Sequence, residues 1–141
     1  MFKNIFKKKN KEKNNDNSVL IASLLIHAAK IDENYSENEK QIIRRALLDL
    51  NLTKINEVEE LMIKAEKKEQ ESNQIIEFTK QIKKNSIEFR LKVIEILWKI
   101  VYSDGTNENY ESNLIRRVCG LLYISGKDNG MIKLKVKNST N

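Results

Sequence analysis

Four carboxylates at matching positions are the strongest candidates for chemistry in this sequence. Asp32 is followed seven residues later by Glu39, and Asp104 is followed seven residues later by Glu111. Carboxylate oxygens are the ligands that hard divalent cations prefer. If the two segments lie close together, these four acids need a counter-charge, which is either a divalent metal ion, of a kind the residues do not specify, or nearby guanidinium groups.

The two acidic segments belong to an internal repeat in which corresponding residues are 72 positions apart. Each segment runs from an acidic loop into a helix that contains the sequence Ile-Arg-Arg, at 43–45 and at 115–117. An apolar stretch typical of a buried helix precedes each loop. A repeat of this kind indicates a duplicated structural unit. We predict two pseudo-symmetric helix–acidic loop–helix units, whose loops would converge if the units pack about a pseudo-twofold axis.

The residues alone favour a purely structural explanation of the same acids. Four arginines repeat with them and could neutralise them as charge-assisted pairs: Arg44, Arg45, Arg116 and Arg117. Ser36 and Glu39 have the spacing of a capping box, in which the glutamate serves only to start a helix. The spacing does not fit an EF-hand, which needs denser ligands.

The remaining reactive residue types fit packing better than catalysis. His27, the single histidine, lies in an apolar helix and is predicted to be a core-edge residue, and we expect Cys119 and Trp98 to pack in the core. The sequence contains no phosphate-binding loop, HExxH or GxSxG motif. We therefore expect a protein that is not an enzyme.

The elements that must position these residues are helices. The chain of 141 residues contains no proline and four glycines, which predicts an all-α fold. We expect one compact domain of about seven helices, built from the two repeats around a charged helical hairpin. The charged run 57–71 is interpreted as a solvated helix face. The predicted helix N-caps are Ser18, Ser36, Thr53, Ser72 or Asn73, Ser86 and Ser125. The predicted boundaries are a basic flexible tail at 1–17, the helical domain at 18–136 and a frayed C-terminus at 137–141.

The net charge of +6 is concentrated in the tail. Residues 1–17 carry six lysines against Glu12 and Asp16, whereas the other 20 basic and 18 acidic side chains nearly cancel. A domain-wide nucleic-acid surface is therefore not expected. The single cysteine and the absence of a recognisable signal peptide or membrane span favour a soluble, cytoplasmic protein.

The tail has one apolar face that could touch a membrane. Phe2, Ile5 and Phe6 share a helical face surrounded by lysines, which would allow weak peripheral contact with an anionic surface. A disordered leader is the favoured alternative.

A combination of motifs resembles a known family. These are the buried helix, the pattern from Asp104-Gly105 to Glu111, and Leu114-Ile115-Arg116-Arg117, duplicated around a Glu/Lys-rich region and closed by Leu121–Ser125. The chain is similar over 19–136 to the TerB-like family of bacterial tellurite-resistance-type proteins, whose domain also resembles one in membrane-anchored DnaJ-like co-chaperones. The resemblance implies an all-helical duplicated domain, metal ions at Asp32, Glu39, Asp104 and Glu111, and a role in metal or chemical stress at the inner face of the membrane.

Two functions therefore stand side by side. The first is a non-enzymatic TerB-like module that binds a divalent cation or responds to one. The second is an adaptor for a protein partner or a membrane surface, in which the repeated acids are structural. A protein partner is expected in either case, and the sequence does not determine the oligomeric state.

Overall fold

The computed structural model describes residues 17–31, 35–72, 74–103 and 108–139, and in the last range it describes side chains from residue 113 onward. The all-α prediction is confirmed, because these residues form seven helices and no strand. The helices are α1 (17–30), α2 (Glu37–Asp49), α3 (Val58–Glu71), α4 (Ile75–Ile82), α5 (Ile87–Ser103), α6 (Glu108–Leu121) and α7 (Gly126–Ser139).

Two helices that are apolar on most sides form the centre of the molecule. Helix α5 packs against α2, α6 and α7 and buries seven side chains, among them Ile94, Leu97 and Trp98. Helix α1 buries Leu24 and Leu25 completely. A helix with little polar surface must be enclosed by other elements, so the other helices are arranged around these two.

Helix α1 approaches α3 closely through small residues. Ser23 is fully buried and donates a hydrogen bond to the carbonyl of Val19 at 2.6 Å, and its hydroxyl also lies 3.2 Å from the carbonyl of Ala65 on α3. Ala65 has no exposed surface. The outer face of α3 is charged as predicted, and Lys64 forms an i,i+4 pair with Glu60 at 3.3 Å.

The predicted helix starts have mixed outcomes. Ser36, Ser86 and Ser125 each accept a hydrogen bond from the amide three residues later, as a helix cap does. Thr53 is wrong as a cap, because α3 begins at Val58 and a turn closed by the amide of Glu57 and the carbonyl of Lys54 precedes it. No side chain caps the start of α3, and its first residue, Val58, is buried with 7% exposure.

The ends of α2 and α6 share one backbone conformation, at positions 72 residues apart. Asn51 and Tyr123 both have positive φ, 58° and 57°. In both cases the next amide donates to the carbonyl five residues before it, as in a Schellman motif: Leu52 to Leu47 at 3.0 Å and Ile124 to Cys119 at 2.9 Å. This likeness concerns two helix ends, and the pseudo-twofold arrangement of the halves stays a prediction.

Candidate functional site

Glu39 is the one member of the predicted metal set whose side chain is described, and it starts α2. Its Oε1 accepts hydrogen bonds from the amide and the hydroxyl of Ser36, each at 3.2 Å, while its own amide donates to Ser36 Oγ at 3.2 Å. The carboxylate is buried, with 1% of the residue exposed. The predicted capping box is therefore confirmed.

The other three acids cannot be placed around Glu39. Asp32 and Asp104 lie outside the described residues, and Glu111 lies in α6 at a position whose side chain is not described. Convergence of the two acidic loops therefore stays a prediction. Within the described ranges, no group of three or more His, Cys, Asp or Glu side chains is arranged to hold a metal ion.

Arg44, one of the four repeated arginines, pairs with carboxylates outside the predicted metal set. Arg44 Nη1 lies 3.0 Å from Glu37 on its own helix, and Arg44 Nε lies 2.5 Å from Glu59 on α3. Burial opposes the charge of Arg44, but the two carboxylates outweigh it and raise the pKa of its guanidinium. Arg44 therefore links α2 to α3. Arg45, Arg116 and Arg117 are exposed.

A partly buried ion network joins α1 to α3. Lys30 Nζ lies 2.8 Å from Glu69 Oε2, and His27 Nδ1 lies 3.2 Å from Glu69 Oε1. Burial alone would raise the pKa of Glu69, but hydrogen bonds from Lys30 and His27 outweigh it and hold the pKa below the ordinary value of glutamate. Only 8% of Glu69 is exposed, so the interpretation of 57–71 as a wholly solvated face is wrong at this residue.

His27 and Cys119 have the structural positions that the sequence predicts. The side chain of His27 is 19% exposed and sits at the edge of the core, 6.1 Å from the ring of Phe78 between centroids. Cys119 is buried, and burial raises the pKa of its thiol to about 11. A thiol with so high a pKa carries almost no thiolate at neutral pH, so it is a poor nucleophile.

Helix α7 exposes an apolar pair that the sequence pattern did not single out. Met131 is 62% exposed and Leu134 is 59% exposed. The two residues are three positions apart and therefore share one face of the helix. Four lysines against Asp128 make this helix strongly basic: Lys127, Lys133, Lys135 and Lys137.

No helix in the described ranges has both the length and the apolar character needed to cross a bilayer.

Comparison with known protein families matches residues 18–134 to the family described as Tellurite resistance protein TerB. The comparisons with curated proteins and with solved structures found no match. The matched segment covers most of the chain and includes both acidic segments, all but the first residue of α1, all of α2 to α6 and most of α7. This chain therefore belongs to the TerB family.

Proposed function

We propose that this TerB-family chain is a non-enzymatic interaction module that binds a protein partner through the exposed face of α7. The observation that carries the proposal is the pair Met131 and Leu134, which leaves two large apolar side chains in water on one face. Exposed apolar side chains grouped on a surface often mark an interaction site. A few such residues can supply most of the binding energy of an interface.

The charge of α7 indicates what kind of partner fits. Lys127 lies one turn before Met131 on the same face. A partner with an apolar centre and an acidic rim would complement this face, since opposite charges around an apolar core favour association. A membrane fits less well, because Ile132 and Val136 pack into the core and leave only a narrow apolar face for insertion.

Crosslinking from α7 tests this surface. We would place a photo-crosslinking amino acid at Gly130, where an added Cβ atom meets no neighbouring group within 4 Å, and identify adducts formed in the native cells. We expect one protein adduct that disappears when Met131→Asp and Leu134→Asp are combined. Ile63→Asp is the matched control, because Ile63 is 66% exposed on α3, and it should keep the adduct.

Two outcomes would contradict this proposal. One is an adduct that survives the double substitution. The other is the absence of a protein adduct together with co-sedimentation of the chain with anionic vesicles, which would favour the membrane alternative.

Binding of a divalent cation by the two acidic segments is the second candidate function. It is supported by the repeat of Asp32 and Glu39 as Asp104 and Glu111, and by the TerB family match, which spans both loops. Such a module would respond to metal or chemical stress, in the cytoplasm or at the inner face of the membrane. Glu39 would then have to serve as helix cap and as cation ligand together.

Glu39 allows these two roles to be separated. Glutamine also fits the third position of a capping box, so Glu39→Gln should keep the metal-free stability, whereas Glu39→Ala should lower the free energy of unfolding by about 1 kcal/mol. If the acids are structural, calorimetric titration with Ca²⁺, Mg²⁺, Mn²⁺ and Zn²⁺ gives no heat. If the wild type releases or absorbs heat on titration and the Glu39→Gln protein does not, the cation site is established. If the Glu39→Ala protein is as stable as the wild type, the carboxylate does not stabilise the start of α2.

A further inference from the structure

Helices α2 and α5 enclose a half-open groove of about 510 Å³ that neither candidate function uses. One wall is formed by Ile42 and Ala46 of α2 and by Leu50, the residue that caps the end of this helix. Successive members are four residues apart, so together they form one stripe about 12 Å long. Ile96 adds apolar surface from α5. The volume lies in the range of small-molecule sites, which are mostly apolar with a few polar groups at fixed places.

The rim of the groove has surplus positive charge. Arg45, Lys92 and Lys99 line it and are exposed, and none pairs with a carboxylate of the described residues. Of the two acids on the rim, Glu95 is already held by Lys135 of α7 at 3.3 Å between Oε1 and Nζ. Asp49 is therefore the remaining carboxylate that could offset three cations.

Charge and size together narrow the choice of occupant. The basic tail of this chain, with six lysines in residues 1–17, would meet like charge at the rim. A stable protein interface covers roughly 800 Å² on each partner, and a groove of about two helical turns is short for that. A small molecule with one anionic group and an apolar body matches both the rim and the stripe.

We propose that the groove between α2 and α5 binds a small amphiphilic carboxylate, with its chain along Ile42, Ala46 and Leu50 and its head group at Lys92 and Lys99. The apolar chain gains burial against the stripe. The carboxylate gains charge-assisted hydrogen bonds from the lysine ammonium groups. The site is separate from the face of Met131 and Leu134, so it does not rest on the proposed partner contact.

Titration with decanoate tests the site. Calorimetry should show binding of one decanoate, and amide chemical-shift changes should lie in α2 and α5. The combined substitutions Lys92→Glu and Lys99→Glu should weaken binding at least about tenfold, since each reversed charge removes one attraction and adds one repulsion. Lys67→Glu, an exposed charge reversal on α3 outside the groove, is the matched control and should bind as the wild type does.

Probe charge gives an independent check. Decyltrimethylammonium, with an alkyl chain of similar length and the opposite charge, should bind at least about tenfold more weakly than decanoate. Arg45→Glu serves as a second variant if circular dichroism shows that the double lysine variant does not fold. The Met131→Asp, Leu134→Asp chain should bind decanoate normally, so that this inference and the partner contact fail separately.

Several results would overturn the inference. These are no binding to the wild type, unchanged affinity in the charge-reversed variants, equal binding of the cationic probe, and chemical-shift changes confined to other helices.

Discussion

Replacing Trp98 with alanine should lower the free energy of unfolding by about 4 kcal/mol, because the removal of a large buried aromatic side chain leaves a cavity. Trp98 is 2% exposed and lies on α5 against α7. Its indole Nε1 donates a hydrogen bond to Asn129 Oδ1 at 2.9 Å, and its ring lies 5.9 Å from that of Tyr102. The ammonium of Lys133 lies 5.1 Å from the ring centroid. Urea denaturation followed by circular dichroism measures the loss.

One milder substitution isolates the hydrogen bond of Trp98, and a second, on another helix, is the control. Asn129→Ala removes the hydrogen-bond acceptor and should cost about 1 kcal/mol. Ile76→Ala removes a large apolar side chain that is 65% exposed on α4, and it should change stability by less than about 0.5 kcal/mol. A Trp98→Ala protein as stable as the Ile76→Ala control would contradict the central position of α5.

Replacing Glu69 with glutamine should destabilise the protein by about 2 kcal/mol near neutral pH, because Lys30 and His27 lose a charged partner between α1 and α3. The cost should fall short of that for a fully buried pair, since the side chains of Lys30 and His27 retain 29% and 19% exposure. Urea denaturation of both proteins across a pH series measures the difference.

The pH dependence of this difference has a definite sign. The folded protein holds the pKa of Glu69 below its ordinary value, so the charged carboxylate adds stability above the unfolded pKa of about 4.3. That added stability is lost as the pH falls through the folded pKa, where wild type and Glu69→Gln should become equally stable. Glu71→Gln, a substitution at an exposed position of α3, should show no difference at any pH. A Glu69→Gln deficit that persists in strong acid would contradict the ion network.

The sequence predicts local features of this fold well. The capping box of Ser36 and Glu39 is confirmed because all its atoms lie within four residues. The buried faces of α1 and α5 follow from their composition. The prediction that Thr53 caps α3 is wrong because a turn lies between Thr53 and the start of the helix. A hydroxyl residue before an apolar run is a cap only where the helix begins directly after it.

Features that depend on two helices could not be predicted from spacing. Glu69 looks like one more charged residue in the run 57–71, and its burial depends on Lys30 and His27 of α1. Arg44 pairs with Glu59, and no local pattern connects the two. The α2–α5 groove likewise exists only once the helices pack. The sequence supplies all four candidate metal ligands, and Glu39 is the one whose side chain the structure describes.

The matching ends of α2 and α6 bear on how the two segments can diverge. Main-chain hydrogen bonds close both helix ends. The residue with positive φ at each end must therefore tolerate a left-handed backbone, but its side chain takes no part in these hydrogen bonds. Asparagine meets that condition at 51. Tyrosine meets it at 123, where 70% of the residue is exposed and Lys83 lies over the ring. The same backbone conformation can therefore expose an amide side chain at the end of α2 and an aromatic side chain at the end of α6, without a change in how either helix ends.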